Sequence, residues 1–443
     1  MTNSLLARLP LRSPMNTVNL AGLLALLVSG SALAPAQTVD VQTQLANQEA
    51  RIAELEKKVS TQATAGPLVF PEGLTPYILI DLTILGKNNA TPDGRTKIDM
   101  PEPFFSGNRW GLKGLVNTNV DGLSVIYKLE SEYFLFDGEQ GKANELFNRD
   151  AWVGLSGKYG KLTIGRQNTL ARDFAVIYCD PFNHAEVNYD EGGWTNNSNF
   201  KSMVYYAGAV CTSPFNGGPA GTRIDKGIVW KKVNERGLAF GAAFNANYET
   251  NTSTKNTSSS VALGWNAPTW HVSAFYTSAN NGSAAGSTLP VISQKSMSFG
   301  GNINVTPKIK VNAGWFHFNS EQGPNHPDRS DNAYTLSASY SYNPKWTYFA
   351  GIQTIKVNHA GTADPTKAGV TIPNAFAYTA NAAAYTTGGK DNVYCAVRRH
   401  LSKKIEAYVV YDYMKLRDDY KLSSTILKDS QAEYGVGLRI SAL

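Results

Sequence analysis

At 443 residues the chain is long enough for two or three ordinary domains, although large β-barrels of this length also form a single unit. Only 17% of its residues are charged, while 39 Gly and 22 Tyr accompany plentiful Asn, Ser and Thr, a mixture that suits short strands and turns and suits a helical enzyme poorly. The formal net charge of +6 is weak for this length and contains no Lys/Arg cluster, which argues against nucleic acid as a partner.

Arg8 and Arg12 precede the apolar run Leu20 to Val28 and then small residues, the order of a secretory signal. A membrane anchor would need roughly 18 or more apolar residues, and this run is shorter. Cleavage after Ala34-Pro35-Ala36, before Gln37, is preferred over a cut that leaves Pro35 first, so residues 1–36 are expected to be a signal peptide. Their removal leaves 39 basic residues against 35 acidic ones, a net charge of +4. Cys179, Cys211 and Cys395 remain, and in an oxidising exported compartment two can pair, leaving one over.

Over 37–65, Val41, Gln48 and Leu55 share one heptad position and Leu45, Ile52 and Val59 the neighbouring one, the 3.5-residue spacing of a coiled-coil seam. Three heptads are marginal as an isolated helix. They make more sense in a chain already held in a multimer, with a single solvated helix as the alternative. Residues 66–74, with Gly66-Pro67 and Pro71, form a linker.

From Thr75 the period changes to two. Tyr334, Leu336, Ala338, Tyr340 and Tyr342 alternate with Thr335, Ser337, Ser339 and Ser341, and Leu238, Phe240, Ala242 and Phe244 with small residues. Sixteen strands are expected, at 76–86, 108–117, 122–136, 148–157, 160–168, 223–232, 238–248, 259–266, 269–278, 295–305, 308–318, 333–342, 346–357, 391–400, 404–415 and 431–442. Short turns follow the even-numbered strands and longer loops the odd-numbered ones, as in an outer-membrane barrel. The strand-like stretch 199–210 would make the count odd and is placed inside the third long loop. A soluble sandwich also alternates, but so large a sheet would need a partner sheet for its apolar face. A closed barrel in lipid needs none.

Trp110, Trp230, Trp265, Trp270, Trp315 and Trp346, with Tyr276, Tyr340, Tyr342, Tyr411 and Tyr413, fall near strand ends, where aromatic girdles sit. Parity then names the lumen. With Trp110 and Leu112 outward, Arg109 and Lys113 face inward; with Val125, Tyr127 and Leu129 outward, Lys128, Glu130 and Glu132 face inward; with Trp152 outward, Arg149 faces inward. Arg or Lys facing lipid at the midplane would cost roughly 2–4 kcal/mol, which the inward assignment avoids. Arg109, Lys113, Lys128 and Arg149 therefore form a candidate positive stripe, the alternative being a solvated patch without function.

The segments SGNRWGLKGLVNTNVDGLSVIYKLESEY (106–133) and FNRDAWVGLSGKYGKLTIGRQ (147–167), the long loop after them and the closing YGVGLRISAL resemble the general bacterial porins of Gram-negative outer membranes. The resemblance implies a homotrimer of sixteen-stranded antiparallel transmembrane β-barrels, each with an aqueous channel narrowed by an inward-folded third loop. It also implies a basic wall cluster facing acidic loop residues. On matching positions the wall is Arg109, Lys113 and Arg149, with Lys128 added by parity; Arg166 matches a Gly-Arg-Gln step, its direction open. Asp180 and Glu186 are the best acidic loop candidates, Asp173, Asp190 and Glu191 the weaker ones.

Three departures accompany the resemblance. The third loop, up to 54 residues over 169–222, is long, and Cys179 and Cys211 within it are a candidate disulfide. The outward series Tyr434, Val436, Leu438, Ile440, Ala442 ends on Ala, followed by Leu443, where the family usually closes on an aromatic residue. The heptad segment is absent from many members and adds a candidate trimer clamp or a periplasmic or cell-wall contact.

Passive diffusion of ions and small hydrophilic solutes is the leading expectation. A substrate-selective porin for phosphate, another anion or a sugar is the alternative, and an outer-membrane anchoring role through the heptad segment is compatible with either. The six His show neither metal-ligand spacing nor a nucleophile motif, so no enzyme, metal or cofactor is expected.

Overall fold

A computed structural model of the protein describes Arg51 and residues 73–100, 105–141, 144–179, 223–246, 257–280, 291–322, 328–357, 388–418, 422 and 426–442. The expected signal segment 1–36, the heptad segment 37–65 apart from Arg51, residues 66–72 of the linker and the stretch 199–210 lie outside the described residues.

Among the described residues sixteen staves form one closed antiparallel barrel. They begin with β1 (Thr75–Lys87), β2 (Arg109–Asn117), β3 (Ser124–Glu132), β4 (Asp150–Gly157), β5 (Gly160–Asn168) and β6 (Arg223–Val233), and continue through β7 (Gly237–Ala246) and β8 (Thr257–Asn266) to β16 (Ser430–Ala442). Closure is made by β1, which pairs with β2 on one side and β16 on the other: Ile78 lies opposite both Trp110 and Ala442. Every stave then has two hydrogen-bonded neighbours and no edge is left unpaired, the condition for strands to cross a bilayer. A three-residue strand, Lys97–Asp99, pairs with the far end of β1 within the first loop. No helix among the described residues is long and apolar enough to span a membrane.

The staves match the expected strands within a few residues, and the differences have local causes. The third, expected over 122–136, ends at Glu132. Beyond it Tyr133 bridges to Gln140, and the Phe134 N–H donates to the Glu139 carbonyl at 2.8 Å, so the chain turns back on itself. Conversely, β10 (Val291–Thr306) and β11 (Ile309–Gln322) run further toward the long-loop end than expected. Their outer residues, Ser293, Gln294, Ser320 and Glu321, show no apolar alternation, but the backbone pairing continues through them with a bulge. The turn between β4 and β5 requires its glycine: Gly160 has φ +103°, and a Cβ there would lie 2.2 Å from the Lys231 carbonyl.

Burial alternates along the staves as the sequence pattern does. On β9 (Trp270–Asn280), His271, Ser273, Phe275, Thr277 and Ala279 are buried, while Trp270 and Tyr276 are exposed. Trp110, Trp230, Trp265, Tyr340, Tyr342, Tyr411 and Tyr413 are also exposed, so the apolar parity is the outer one. One parity expectation fails. Trp152 pairs with Lys128 and with Gly165 and therefore shares the inner face with Asp150, while Val153 and Leu155 are the exposed residues of β4. Both faces of this stave carry an apolar side chain, so size alone gives the wrong parity. Arg149 reaches the lumen by another route: it precedes β4, its N–H donates to the Glu130 carbonyl at 3.1 Å, and its guanidinium turns inward from there.

The interior is partly filled. Leu85, Phe105, Phe349, Tyr394, Ala396, Tyr408 and Val410 form a buried cluster on the inner face of the closure region. Asp81 anchors the returning first loop there: its carboxylate accepts the N–H groups of Phe105 and Ser106 at 2.7 and 2.8 Å and the Tyr408 hydroxyl at 2.5 Å.

Candidate functional site

Across β2, β3 and β4 the register places Gly111 opposite Glu130 and Glu130 opposite Asp150, so carboxylates from two staves meet on the inner wall. Glu130 is the centre of a charge network. Its Oε1 lies 2.5 Å from Arg149 Nε, 3.5 Å from Arg223 Nη2 and 3.9 Å from Arg109 Nη1, and its Oε2 lies 3.3 Å from Lys128 Nζ. The Tyr77 hydroxyl donates to the same carboxylate at 2.7 Å. Lys128 also pairs with Asp150 at 2.9 Å, Arg223 with Asp150 at 3.5 Å, and Arg149 with Glu132 at 3.2 Å. Four cations thus share three carboxylates. Glu130, the most enclosed of the three, is compensated by several cations at once, the condition under which a buried charge persists.

Of the five basic wall residues named from the sequence, Arg109, Lys128 and Arg149 join this network. Lys113 is on the same inner face, directly opposite Lys128, but its ammonium sits 5.5 Å from the Tyr77 ring centroid, next to the network and not in it. Arg166 pairs with Ala151, on the parity of the exposed Val153; it donates to the Asn148 carbonyl at 2.7 Å and forms an ion pair with Asp225. It stands apart from the Glu130 cluster. Among the acidic candidates, Asp173 is 2.8 Å from Lys231 and accepts from Asn168 at 2.9 Å. Asp180, Glu186, Asp190 and Glu191 lie outside the described residues, as do Cys211 and the side chain of Cys179.

The carboxylates that face the basic wall among the described residues therefore come from the wall itself. Parity had turned Glu130 and Glu132 inward, but their pairing depends on the register of three neighbouring staves. Asp150 and Arg223 were missed. Arg223 follows the 54-residue loop, so nothing in its local sequence ties it to Glu130.

The first turns of the third loop form helix α1 (Leu170–Cys179). Thr169 caps it, its hydroxyl accepting the Arg172 N–H at 3.1 Å, and Asp173 adds an acid to the first turn, where the helix dipole favours one. Leu170, Ala171, Phe174, Ala175 and Tyr178 make one buried stripe. That stripe lies on the inner parity of β7 to β11: the Ser273 hydroxyl donates to the Phe174 carbonyl at 2.8 Å, and the Tyr178 and Ser298 hydroxyls are 2.6 Å apart. Gly300 and Gly314 leave room for the Tyr178 ring, which a Cβ would approach to 2.4 and 2.6 Å respectively.

A closed sixteen-stave barrel with an apolar outer face and a charged inner one defines an outer-membrane-type β-barrel. A family profile described as Gram-negative porin matches residues 23–419, and the chain belongs to that family, one of outer-membrane channels rather than enzymes. It is 31% identical over 138 residues to an outer membrane porin protein of Bordetella pertussis, a match covering 29% of this chain and 35% of that relative. The match thus spans about a third of the relative's length. Among solved structures it is similar to an anion-selective porin from Comamonas acidovorans, with a TM-score of 0.63 at 17% identity over 83% of this chain and 99% of that one. It is also similar to the trimer form of in-vitro folded OmpT of Vibrio cholerae, with a TM-score of 0.55 at 13% identity over 84% of this chain and 100% of that one. These likenesses establish the fold.

Proposed function

We propose that the protein is a homotrimeric outer-membrane channel for passive diffusion of ions and small hydrophilic solutes, with lipid around its apolar face. The observation that carries this reading is the closed barrel whose inner parity is charged and hydrogen-bonding while its outer parity exposes Trp, Tyr, Leu and Ile. The third loop folds inward and narrows the channel; α1 on the lumen face supports this, and Asp180 and Glu186 further along the loop are the acids proposed to face Arg109, Lys128 and Arg149. Residues 1–36 serve as the export signal and 37–65 as a helix that clamps the trimer or reaches into the periplasm. Trimeric assembly is also in keeping with the trimer form of the Vibrio cholerae relative.

Purified protein added to a planar bilayer is expected to give conductance in three coupled levels. A folded, heat-modifiable barrel that stays silent would overturn the channel and favour an anchoring role. Selectivity for anions is a second reading, favoured by the four cations over three carboxylates at the Glu130 network and in keeping with the anion-selective relative from Comamonas acidovorans.

A further inference from the structure

We propose that the lumen carries a binding subsite for small organic anions with an apolar, planar body, an aromatic carboxylate being the simplest case. The site is a cavity of about 480 Å³ next to the Glu130 network, toward the short-turn end of β2 to β6. Its size falls within the roughly 300–1,000 Å³ of small-molecule pockets. The inference rests on the channel reading, since the solute must reach the lumen.

Charge is the first argument. Lys113, Lys128, Lys161 and Lys231 line the cavity against two carboxylates, Asp150 and Asp173. These lysines are arranged as two directly opposed pairs, Lys113 across from Lys128 and Lys161 across from Lys231. Like charges directly opposite on neighbouring strands destabilise a sheet. One lysine of each pair is bonded to a carboxylate, Lys128 to Asp150 at 2.9 Å and Lys231 to Asp173 at 2.8 Å, so the lining carries four ammonium groups against two carboxylates. A bound anion would add negative charge to a lining in which ammonium groups are in excess.

The second argument is the apolar part of the lining. Leu115, Ile126 and Trp152 face the same cavity, and Trp152 lies directly across from Lys128. A hydrated inorganic anion would use the lysines and gain nothing from Trp152, Leu115 and Ile126. A carboxylate attached to a ring would place its charge among the ammonium groups and its planar body on the apolar side, where an aromatic face and a cation are both favourable neighbours.

The test uses the full-length channel in planar bilayers, with benzoate as probe and acetate and inorganic phosphate as comparisons. Saturable reduction of the current by benzoate, at concentrations where acetate and phosphate have little effect, is the expected result. Trp152→Leu should weaken the benzoate effect roughly tenfold, the worth of one aromatic contact. Lys161→Gln should weaken it as well. Open channels with no saturable benzoate effect, equal effects of acetate or phosphate, or a benzoate effect unchanged by Trp152→Leu would each overturn the subsite. Heat-modifiability on gels checks that the Trp152 variant folds; if it does not, Lys113→Gln and Lys161→Gln decide the matter. Calorimetric titration of benzoate into the detergent-solubilised barrel reads the subsite without conduction. Binding without current would overturn the channel reading alone, and current without binding the subsite alone.

Discussion

On β2 to β5 the inward positions carry Arg109, Lys113, Lys128, Glu130, Asp150 and Lys161, whereas on β8 (Thr257–Asn266), β9 and β10 they carry Ser258, Ser260, Ser273, Thr277, Ser296 and Ser298. Both regions are strands of the same barrel with the same two-residue period. They differ in the volume and charge of the inner parity. Long ionised side chains must be paired, and on the first wall they compensate one another through Glu130, Glu132 and Asp150. Short hydroxyl side chains leave space and spare hydrogen-bonding groups, and the second wall gives both to α1. One wall presents charge to the lumen. The other supports the start of the loop.

Removing the centre of the charged wall should have the largest effect. Glu130→Ala leaves Arg109, Lys128, Arg149 and Arg223 to share the remaining carboxylates, and stripping one partner from a buried pair costs about 3–5 kcal/mol. The denaturant midpoint of the folded barrel is expected to fall clearly below wild type; an unchanged midpoint would show that the network is solvated and not structural. A smaller effect is expected on the second wall. Gly300→Val drives a side chain into the Tyr178 ring, and overpacking of this kind costs about 1–3 kcal/mol. If α1 begins the constriction, its displacement raises single-channel conductance, whereas unchanged conductance would place the narrow point elsewhere. Ser298→Ala, which removes only the hydroxyl partner of Tyr178, should cost about 1 kcal/mol and is the mild end of the series.

The two walls were unequally legible in the sequence. The period-two pattern gave the staves of both, because burial of alternate side chains is a local property of a strand. It also turned Arg109, Lys113, Lys128, Glu130 and Glu132 inward correctly. Parity failed at Trp152, where both faces of β4 are partly apolar, and it gave no direction for Arg166, which lies at a bulge between β5 and β6. The partners of each charge were not legible, since Arg223 meets Glu130 only through the successive pairing of β3 to β6 and the return of a long loop. The neutral wall hid its role entirely. Ser273, Ser298, Gly300 and Gly314 look like ordinary lumen residues until α1 is laid across them.

Selection among the ions that pass is proposed to lie with the charged wall. Its most direct test is the reversal potential in a KCl gradient for wild type, Glu130→Gln and Arg149→Gln. Opposite shifts are expected: loss of the Glu130 charge moves selectivity toward anions, and loss of the Arg149 charge moves it toward cations. Reversal potentials equal to wild type in both variants, with channels open, would contradict it.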